Sequence, residues 1–524
     1  MQVRSPVSFP TAAFVTLLSA LAIAFNAVPL GVPGEWTWTR HSLPMSAGEC
    51  LDRILPAAFV GSAGCFVLSW LTRKRTRSRF AKFCCLPALA TFGLLWTLAV
   101  QQAAPSPHKE LKPLWVNYDR SASGYFFTAV FQIEYTPDFL ASYEARMREG
   151  DVLHFGTHPP GLIVMSRMAR NLMRQRPELI PFVMATADQD AVTAFREIEL
   201  RVAAARPLSD SELAALQLLN LCSQLCIALT PVAVYLIVRR LADTDQAWIA
   251  GCLMTTVPGM AVFCPKSDVL YPFTASVLIW LSCSAILQTN MIRQIVSASF
   301  AGAWLWLCLI LSLAHIPVVA MLALFTAFLM FRSNLETLKR ISLSLAIALM
   351  VFTSCVLIWN RQTACNLWAV WPLNLNNHAG FYGQSTRTWL YWLPANLGEL
   401  ALTAGTPMLL LAANAMTSIP GSIRKSLFPR STETPASPLS PINAFLAATL
   451  LTWCLLWLSG KNMGEAMRLW CFLTPWVVVA ASSAIAAGHE GRTSNVTGKL
   501  LCGFLLLQML TAVVTAGRIN GYSF

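Results

Sequence analysis

The chain has 524 residues, of which 56% are hydrophobic and 12% are charged, and its mean hydropathy is +0.55. Soluble domains carry about 25% charged residues, so this composition excludes a soluble globular protein. The net charge of +13 does not indicate a nucleic-acid partner, because the basic residues cluster in short links between apolar runs, where they anchor a membrane protein.

Thirteen apolar stretches recur along the chain, most of them close to the length of about 20 residues that crosses a bilayer as a helix. Backbone groups in lipid must pair within their own helix, and the alternating pattern of a membrane barrel is absent from the sequence. We therefore predict an all-α polytopic membrane protein. The predicted spans are 10–32, 54–71, 83–104, 213–238, 247–263, 269–288, 297–314, 318–331, 341–359, 388–412, 442–459, 469–487 and 499–517.

The basic links predict the orientation of these spans. The link 73–82 carries six Lys and Arg residues and should face the cytoplasm. Alternate counting places five further basic links on the same side, at 239–240, 293, 332–340, 424–430 and 492–499. The N-terminus is then cytoplasmic, the C-terminus and the link 105–212 are external, and the chain is a multi-pass protein of the cell (inner or plasma) membrane.

Four segments follow from this topology: an N-terminal transmembrane hairpin (1–82), a transmembrane core with the external loop (83–412), a cytoplasmic link (413–441) and C-terminal transmembrane helices (442–524). The first span has no basic-rich start and no convincing cleavage site, so we predict that it is retained. Most of the 15 cysteines lie inside spans as small buried hydrophobes, and their spacing indicates neither a disulfide framework nor a zinc site.

The external loop 105–212 has an unusual composition, because 13 of the 25 acidic residues of the chain lie between Asp119 and Glu212. Long loops with structure of their own usually carry function. Asp138 can cap a short amphipathic helix over 139–149, closed by Gly150 and lying on the membrane surface. A second polar helix is predicted over 190–205. The apolar face of the first helix comprises Phe139, Leu140, Tyr143 and Met147.

Two places in this loop could carry chemistry. Asp119 stands before a predicted helix, where it could serve as an N-cap or take a proton from a nucleophile. His154 and His158 precede Pro159-Pro160, and a helix is predicted to begin there. A helix N-terminus binds phosphate well, which makes both histidines candidates for substrate binding. Two histidines four apart could also bind a metal, although the intervening Gly and the following prolines disfavour a helical pair.

Charged residues at the external ends of later spans form a second group of candidates. Lys461, Glu465 and Arg468 lie at the mouth of two spans, although Glu465 and Arg468 could simply pair one helical turn apart. Asp268, which shares a link with Lys266, could likewise serve in the site or simply form an ion pair. Glu399 is one more candidate, since it lies within the tenth predicted span. A carboxylate there should either face a polar cavity or extend to the membrane surface. Arg387 ends an Asn- and Trp-rich link over 360–387.

These features together resemble the GT-C superfamily of membrane glycosyltransferases, in particular the protein mannosyltransferase and aminoarabinose transferase branch. The resemblance is carried by Asp119, the helix over 139–149, the turn His158-Pro159-Pro160-Gly161-Leu162 and the segment Glu465-Ala466-Met467-Arg468-Leu469-Trp470. It covers 119–165 by motif and the remainder by topology. Family members generally place this loop after their first span, whereas here it follows the third. Many relatives carry two adjacent acids, whereas here Arg120 follows Asp119.

The resemblance implies transfer of a hexose or pentose from a polyprenyl-phosphate carrier to a lipid, glycan or protein acceptor, usually with inversion. Asp119 would then activate the acceptor hydroxyl, and the spans would form a groove for the prenyl tail among the membrane lipids. No cofactor is assigned, and a divalent metal is left open. The cations that would meet the charge of the leaving phosphate are Arg468, Lys461, His158 and Arg387. The other substrate-binding candidates are His154, Glu465, Asp268 and Glu399.

Two other classes of function stay open. A multi-pass transporter or flippase of lipid-linked substrates would need broken polar helices in related halves near the membrane midplane. The sequence has no convincing internal repeat, and its ionisable residues cluster at one predicted membrane face. A non-catalytic scaffold whose loop binds a partner is the third interpretation.

Overall fold

A computed structural model of the protein describes residues 8–44, 46–74, 78–149, 156–201, 206–331, 333–384, 386–427, 439–487 and 494–522. Within these ranges the chain is helical apart from loops and one small antiparallel hairpin. The hairpin pairs β1 (Gly31–Val32) with β2 (Trp36–Thr37). The predicted all-α fold is therefore confirmed.

The helices of the N-terminal part and of the loop 105–212 are α1 (Phe9–Ala24), α2 (Ala47–Lys74), α3 (Arg79–Gln101), α4 (His108–Tyr118), α5 (Tyr125–Phe127), α6 (Thr136–Ala141), α7 (Tyr143–Arg148), α8 (Gly161–Gln175), α9 (Ile180–Met184) and α10 (Gln189–Arg201). A π-helical turn, Thr128–Gln132, follows α5, and a 3-10 turn, Pro177–Leu179, precedes α9.

The helices of the remaining chain are α11 (Asp210–Leu241), α12 (Thr244–Met254), α13 (Pro258–Phe263), α14 (Leu270–Leu287), α15 (Met291–Leu311), α16 (Ile316–Met330), α17 (Leu335–Thr363), α18 (Leu367–Gln384), α19 (Trp389–Ala404), α20 (Thr406–Met416), α21 (Ile419–Leu427), α22 (Pro441–Leu458), α23 (Ala466–Leu469), α24 (Thr474–Ala487) and α25 (Ser494–Arg518). Three 3-10 turns, Ser267–Val269, Leu313–His315 and Cys471–Leu473, lead into α14, α16 and α24.

Helices correspond to all thirteen predicted spans. In the described part of the chain, nine helical segments are long and apolar enough to cross a membrane: α2, α3, α11, 267–287, α15, 313–330, α17, α22 and 498–518. A tenth crossing results if α19 and the helix after it form one bent span, and two of the other apolar helices, Phe9–Ala24 and Cys471–Ala487, are shorter. The protein is therefore a multi-span membrane protein.

The predicted span 247–263 is divided into α12 and α13. The break falls at 255–257, immediately before Pro258. Proline removes a helical hydrogen bond and disfavours the α conformation of the residue before it, so the helix stops and restarts there. Both pieces are buried within the protein.

The predicted span 388–412 is bent by 111° at Gly405. Gly405 has a φ of +97°, and an added Cβ would lie 2.0 Å from Oε1 of Gln508. The Gln508 side chain donates a hydrogen bond to the carbonyl of Ala404, at the buried C-terminal end of α19. The bend is thus set by a glycine conformation and by a side chain from α25.

The loop helices differ in detail from the sequence prediction. The predicted helix over 139–149 is two short helices, α6 and α7, which meet at Ser142, and α6 begins at Thr136, so Asp138 is in its first turn and is not its N-cap. The predicted apolar face is correct, but Phe139, Leu140, Tyr143 and Met147 are buried in the core of the protein. Gly150 and 202–205 lie outside the described residues.

The link 360–387, predicted as a loop, contains α18. Its Asn374 side chain donates to the carbonyl of Gly156 at 3.0 Å, and Asn377 donates to the same carbonyl at 3.1 Å. α18 therefore holds the start of the His-Pro-Pro turn. A second, smaller core lies where α4 packs against α10. The rings of Tyr118 and Phe195 are 5.1 Å apart there.

Candidate functional site

Asp119 lies where α4 ends and the chain reverses. Its backbone is extended (φ −64°, ψ 131°), and its Oδ2 accepts hydrogen bonds from the Ser121 hydroxyl and, at 2.8 Å, from the backbone N–H of Ala122. Gly124, with a φ of +72°, then turns the chain into α5. Asp119 therefore caps the turn that leads to Ala122 and not the helix that follows, whose N-cap is Gly124, so its interpretation as a helix N-cap is wrong. Its side chain is partly exposed.

The link between α13 and α14 places two charged residues in the interior. Lys266 is 8% exposed and Asp268 is 6% exposed. The Ser223 hydroxyl of α11 donates to the carbonyl of Pro265 at 2.9 Å, and this bond fixes the link against the bundle. Both charged side chains are therefore held at one end of the helices rather than in solvent.

The segment from Gly460 to Arg468 has an unusual backbone. Gly460, Asn462, Gly464 and Glu465 all have positive φ angles. Such a conformation is uncommon for a residue with a side chain, and it is found most often at functional sites. A Cβ on Gly464 would lie 3.2 Å from Nε of Arg387, so the glycine leaves room for that side chain.

Arg468 joins the two acidic residues of these segments. Its guanidinium contacts the Glu465 carboxylate at 2.5 Å and the Asp268 carboxylate at 3.6 Å. Burial would lower the pKa of Arg468, but the two carboxylates raise it above its ordinary value. Burial would raise the pKa of Glu465, but Arg468 and Lys266 lower it. Arg468 and Glu465 therefore stay charged at neutral pH.

Lys266 lies among the same charges. Four charged side chains act on its ammonium group: Arg468, Asp268, Glu465 and Asp119. Burial, reinforced by the nearby guanidinium and opposed by the three carboxylates, lowers the pKa of Lys266 to about 8. We call these five residues the ionic cluster. It brings three predicted binding residues together with Asp119 and with a lysine that was not assigned a role.

Two cationic donors at this site lack hydrogen-bond acceptors. The Nε atoms of Arg468 and Arg387 are buried and make no hydrogen bond to the described residues. Lys266, which is 8% exposed, adds a further positive charge that acts together with that of Arg468. Buried polar groups are usually paired, so two buried donors without acceptors indicate a place for an anion.

His158 lies beside the ionic cluster. The Tyr125 ring contacts its imidazole, with ring centroids 5.5 Å apart, and the Tyr143 hydroxyl donates to its carbonyl at 2.9 Å. Burial, together with the negative charge of Asp268 among other neighbours, raises the pKa of Tyr125 well above its ordinary value. α8 then begins at Gly161, where an added Cβ would lie only 2.4 Å from the carbonyl oxygen of Ile310.

Arg387 reaches the cluster from another side. It donates to the carbonyl of Glu35 at 2.8 Å, its guanidinium lies 5.7 Å from the centre of the Trp392 ring, and its charge acts on Glu465. The Glu35 carboxylate accepts hydrogen bonds from the backbone of Thr388 at 2.9 Å and from the Trp392 indole at 2.7 Å. These bonds lower the pKa of Glu35 below its ordinary value.

Glu399 has a supporting position. It is 1% exposed, and its Oε2 accepts a hydrogen bond from the backbone N–H of Met467 at 2.8 Å. The Thr403 hydroxyl donates to the carbonyl of Met467 at 2.6 Å. Glu399 therefore faces the interior, as one of its two interpretations predicts, and fixes the backbone next to Arg468.

Two predicted residues are placed neither in the ionic cluster nor beside it. Lys461 is exposed, and its charge acts on His378 rather than on the ionic cluster. His154 lies outside the described residues. A pocket whose lining includes Tyr125, Pro265 and Ser267 flanks the link that carries Lys266 and Asp268.

Comparison with solved structures gives a weak likeness. No family model matches the sequence, and no curated protein matches it. Two crystal structures of the Archaeoglobus fulgidus oligosaccharyltransferase, one tethered to an acceptor peptide and one with Zn and sulfate, match with 12% and 14% identity and TM-scores of 0.42. They align with 83% and 82% of this chain. This chain spans about half the length of those chains, 56% and 54%. The function is therefore argued from the residues of this chain.

Sequence reasoning missed three residues of the site. The sequence pattern assigns no substrate-binding role to Lys266, Tyr125 or Glu35. Lys266 follows a Cys-Pro pair at the end of an apolar span, which is a costly place for a charge and could have marked it. Glu35 and Tyr125 give no such signal, because their partners are far away in the sequence.

Proposed function

We propose that the protein is an integral membrane glycosyltransferase that moves a sugar from a polyprenyl-phosphate carrier to an acceptor hydroxyl, with inversion. The observation that carries the proposal is the pair of buried cationic donors without acceptors, on Arg468 and Arg387, together with the buried Lys266, on whose charge Asp119 acts. A carrier that is half lipid and half phosphate sugar suits an anion site in a multi-span membrane protein.

Asp119 serves as the general base in this mechanism. Its carboxylate is partly exposed, and one oxygen is fixed by the turn that it caps. The acceptor oxygen attacks the anomeric carbon on the face opposite the phosphate and loses its proton to the carboxylate. The bond between the anomeric carbon and the phosphate oxygen breaks, and its electron pair stays on the phosphate. A single displacement of this kind inverts the anomeric centre.

The three cations stabilise the leaving phosphate. Donors aimed at a developing oxyanion in a site that excludes water contribute strongly, and loss of one typically lowers kcat by about 10²–10³-fold. Arg468 is held by two carboxylates, and Glu399 fixes the backbone next to it, so its position is set before substrate arrives. His158 borders the same space across Tyr125.

A flippase of lipid-linked substrates is the second candidate function. The observation that favours it is the pair of broken helical segments, α12–α13 and α19–α20, because transporters often bind substrates at such breaks. The charged residues lie at the ends of helices rather than at the breaks, which favours the transferase.

Replacement of Asp119 tests the proposal. In Asp119→Asn the amide cannot accept the proton, so transfer should fall by about 10²–10⁴-fold while the protein still inserts and folds. Labelled polyprenyl-phosphate sugars are incubated with the purified protein in lipid nanodiscs, and released polyprenyl phosphate is measured.

The matched control is Asp190→Asn, an exposed acid of the same loop that should leave transfer unchanged. Unaltered transfer by Asp119→Asn would rule out the base role. Movement of labelled carrier across proteoliposomes without release of carrier phosphate would instead favour the flippase.

A further inference from the structure

The loop between α1 and α2 reaches the anion site at Arg468 and Arg387. This loop contains the hairpin of β1 and β2, and Glu35 lies in its turn. We infer that Glu35 is a positioning residue, which holds the Arg387 side chain in place for a phosphate before the ligand arrives. The inference deepens the proposed function and rests on it for the identity of the ligand as a lipid phosphate. The hold on Arg387 itself does not depend on sugar transfer.

Glu35 binds the segment around Arg387 at three points. Its carbonyl accepts a hydrogen bond from Nη1 of Arg387 at 2.8 Å. Its Oε2 accepts hydrogen bonds from the backbone N–H of Thr388 at 2.9 Å and from the indole of Trp392 at 2.7 Å. The Arg387 guanidinium lies 5.7 Å from the centre of the same Trp392 ring. Glu35 therefore fixes both the backbone beside Arg387 and the ring against which its guanidinium lies.

The hairpin that carries this glutamate is itself fixed in place. Gly31 has a φ of +99°, and an added Cβ would lie 2.4 Å from the carbonyl oxygen of Trp36, so the close approach of the two strands requires glycine. The Trp36 ring lies 6.3 Å from the Trp392 ring of α19. The Trp38 ring lies 5.5 Å from that of Phe263, the last residue of α13. The hairpin thus packs against two helices of the bundle and offers a firm support.

Arg387 meets the anion site at the segment that carries Arg468. A Cβ on Gly464 would lie 3.2 Å from Nε of Arg387. The next residue, Glu465, contacts the Arg468 guanidinium at 2.5 Å. The Nε atoms of both arginines are buried and make no hydrogen bond to the described residues. Two guanidinium groups therefore border one short stretch of backbone, and each keeps a donor for an oxyanion.

An arginine that is ordered in advance binds an anion more tightly than a mobile one. A long side chain loses rotamer freedom when a ligand orders it, and a protein that has already ordered the side chain avoids this loss on binding. The bonds of Arg387 to the carbonyls of Glu35 and Thr386 both start from Nη1. The hold that Glu35 provides therefore leaves Nε for the ligand.

A double-mutant cycle tests whether Glu35 acts through Arg387. Purified protein in detergent micelles is titrated with farnesyl phosphate, a short lipid phosphate, by isothermal titration calorimetry. We expect Arg387→Ala to weaken binding by about 10- to 100-fold, because a charge-assisted hydrogen bond is lost. Glu35→Ala should weaken binding by about 3- to 10-fold, because the arginine becomes mobile. In the Arg387→Ala background Glu35→Ala should have no further effect, since the side chain that it positions is gone.

Glu35→Gln is the conservative variant. One glutamine oxygen at the position of Oε2 can accept the bonds from Thr388 and Trp392, so binding should stay within about twofold of the wild-type value. This variant loses the carboxylate charge, so retained affinity separates the effect of hydrogen bonding from that of charge. If Glu35→Ala is not monodisperse on size-exclusion chromatography, Trp392→Phe removes the indole donor from the other side of the same bond and is judged in the same cycle.

The matched control is Glu178→Ala. Glu178 is an exposed acid whose carboxylate lies 3.5 Å from the Arg176 guanidinium, so its loss also removes an acid that contacts an arginine. Binding of farnesyl phosphate by this variant should equal that of the wild-type protein. Farnesol, which lacks the phosphate, serves as the control ligand for every variant.

Several results would overturn the inference. Glu35→Ala could bind as tightly as the wild-type protein, or weaken binding equally with and without Arg387. Glu35→Gln could bind as weakly as Glu35→Ala, or the wild-type protein could bind farnesyl phosphate no better than farnesol. The expected binding cycle without release of carrier phosphate from polyprenyl-phosphate sugars would instead refute the proposed transfer and leave the inference standing.

Discussion

At the scale of single residues, the site depends on how burial and neighbouring charges set the state of each group. Lys266 is the clearest case, because burial and Arg468 disfavour its charge while three carboxylates favour it. The balance leaves its pKa at about 8, within reach of ordinary buffers. Arg468, which contacts two of the carboxylates directly, has a pKa above its ordinary value. The two cations of the cluster should therefore respond differently to pH.

Sugar transfer should decline as the pH rises through about 8, because Lys266 loses the charge that meets the leaving phosphate. In Lys266→Arg the guanidinium stays charged, so the decline should disappear even if the overall rate is lower. Initial rates of carrier phosphate release between pH 6 and 10 measure both profiles.

The contribution of Lys266 to the stability of the protein should rise with pH, whereas its contribution to activity should fall. The native pKa of Lys266, about 8, lies below its ordinary value of 10.5, so between these values the unfolded chain binds more protons. The contribution of Lys266 to the free energy of unfolding therefore rises with pH in this window. A loss of activity accompanied by a parallel loss of unfolding temperature would contradict the proposed role of Lys266.

At the scale of elements, the sequence predicts the positions of the helices, because these depend on the length of the apolar runs. It does not predict breaks and bends that depend on single contacts. Every predicted span contains a helix, because a run of apolar residues in lipid has no other way to pair its backbone. The break before Pro258 was readable from proline chemistry but was not predicted. The bend at Gly405 was not readable, since it depends on Gln508 more than one hundred residues away.

The same division applies to the candidate site. Asp119 and the segment ending at Arg468 were predicted because their polarity contrasts with the apolar runs around them. Their proximity to Lys266 could not be predicted, because it results from how three links meet at one end of the bundle. The exclusion of Lys461 from the cluster has the same origin, since the direction of each side chain depends on the glycine-rich backbone of its segment.

Close contact between α8 and α15 should make Gly161 intolerant of a side chain. In Gly161→Ala the new Cβ would lie 2.4 Å from the carbonyl oxygen of Ile310, so the helices must separate at the start of α8, next to the His-Pro-Pro turn. We expect a loss of about 1–3 kcal/mol in the free energy of unfolding, measured by thermal or denaturant unfolding in detergent.

Gly398→Ala is the matched control, because an added Cβ in α19 meets nothing within 4 Å. Alanine is the better helix former, so this variant should be neutral or slightly more stable. Equal unfolding temperatures for the two variants would show that α8 and α15 are not packed as closely as described.

At the scale of the whole molecule, the loop between the hairpin and α2 meets the C-terminal segment beside α4, the helix that leads to Asp119. The backbone N–H of His41 donates to the carbonyl of Arg518 at 2.9 Å, and the Tyr522 hydroxyl donates to the carbonyl of His108 at 2.9 Å. The rings of His41 and His108 lie 4.5 Å apart. This junction fixes the start of α4 against the hairpin loop and the C-terminal segment, so it helps to hold Asp119 in place.

The junction should make the protein sensitive to acid. Burial lowers the pKa of His41 to about 3, and further positive charges act in the same direction: those of His108, Lys112, Arg53 and Arg518. An unfolded histidine titrates near its ordinary value of 6.5, so between these values the unfolded chain binds more protons. The contribution of His41 to stability is therefore complete above about pH 6.5 and is lost progressively as the pH falls towards 3.

Replacement of His41 isolates this effect. His41→Asn cannot gain a proton on unfolding, so its unfolding temperature should fall less steeply than that of the wild-type protein between pH 7 and 4, even if it is lower at neutral pH. Thermal unfolding in detergent at a series of pH values measures both slopes. If the slopes coincide, His41 is already protonated or exposed in the folded protein, and the junction with α4 and the C-terminal segment does not enclose it as the geometry requires.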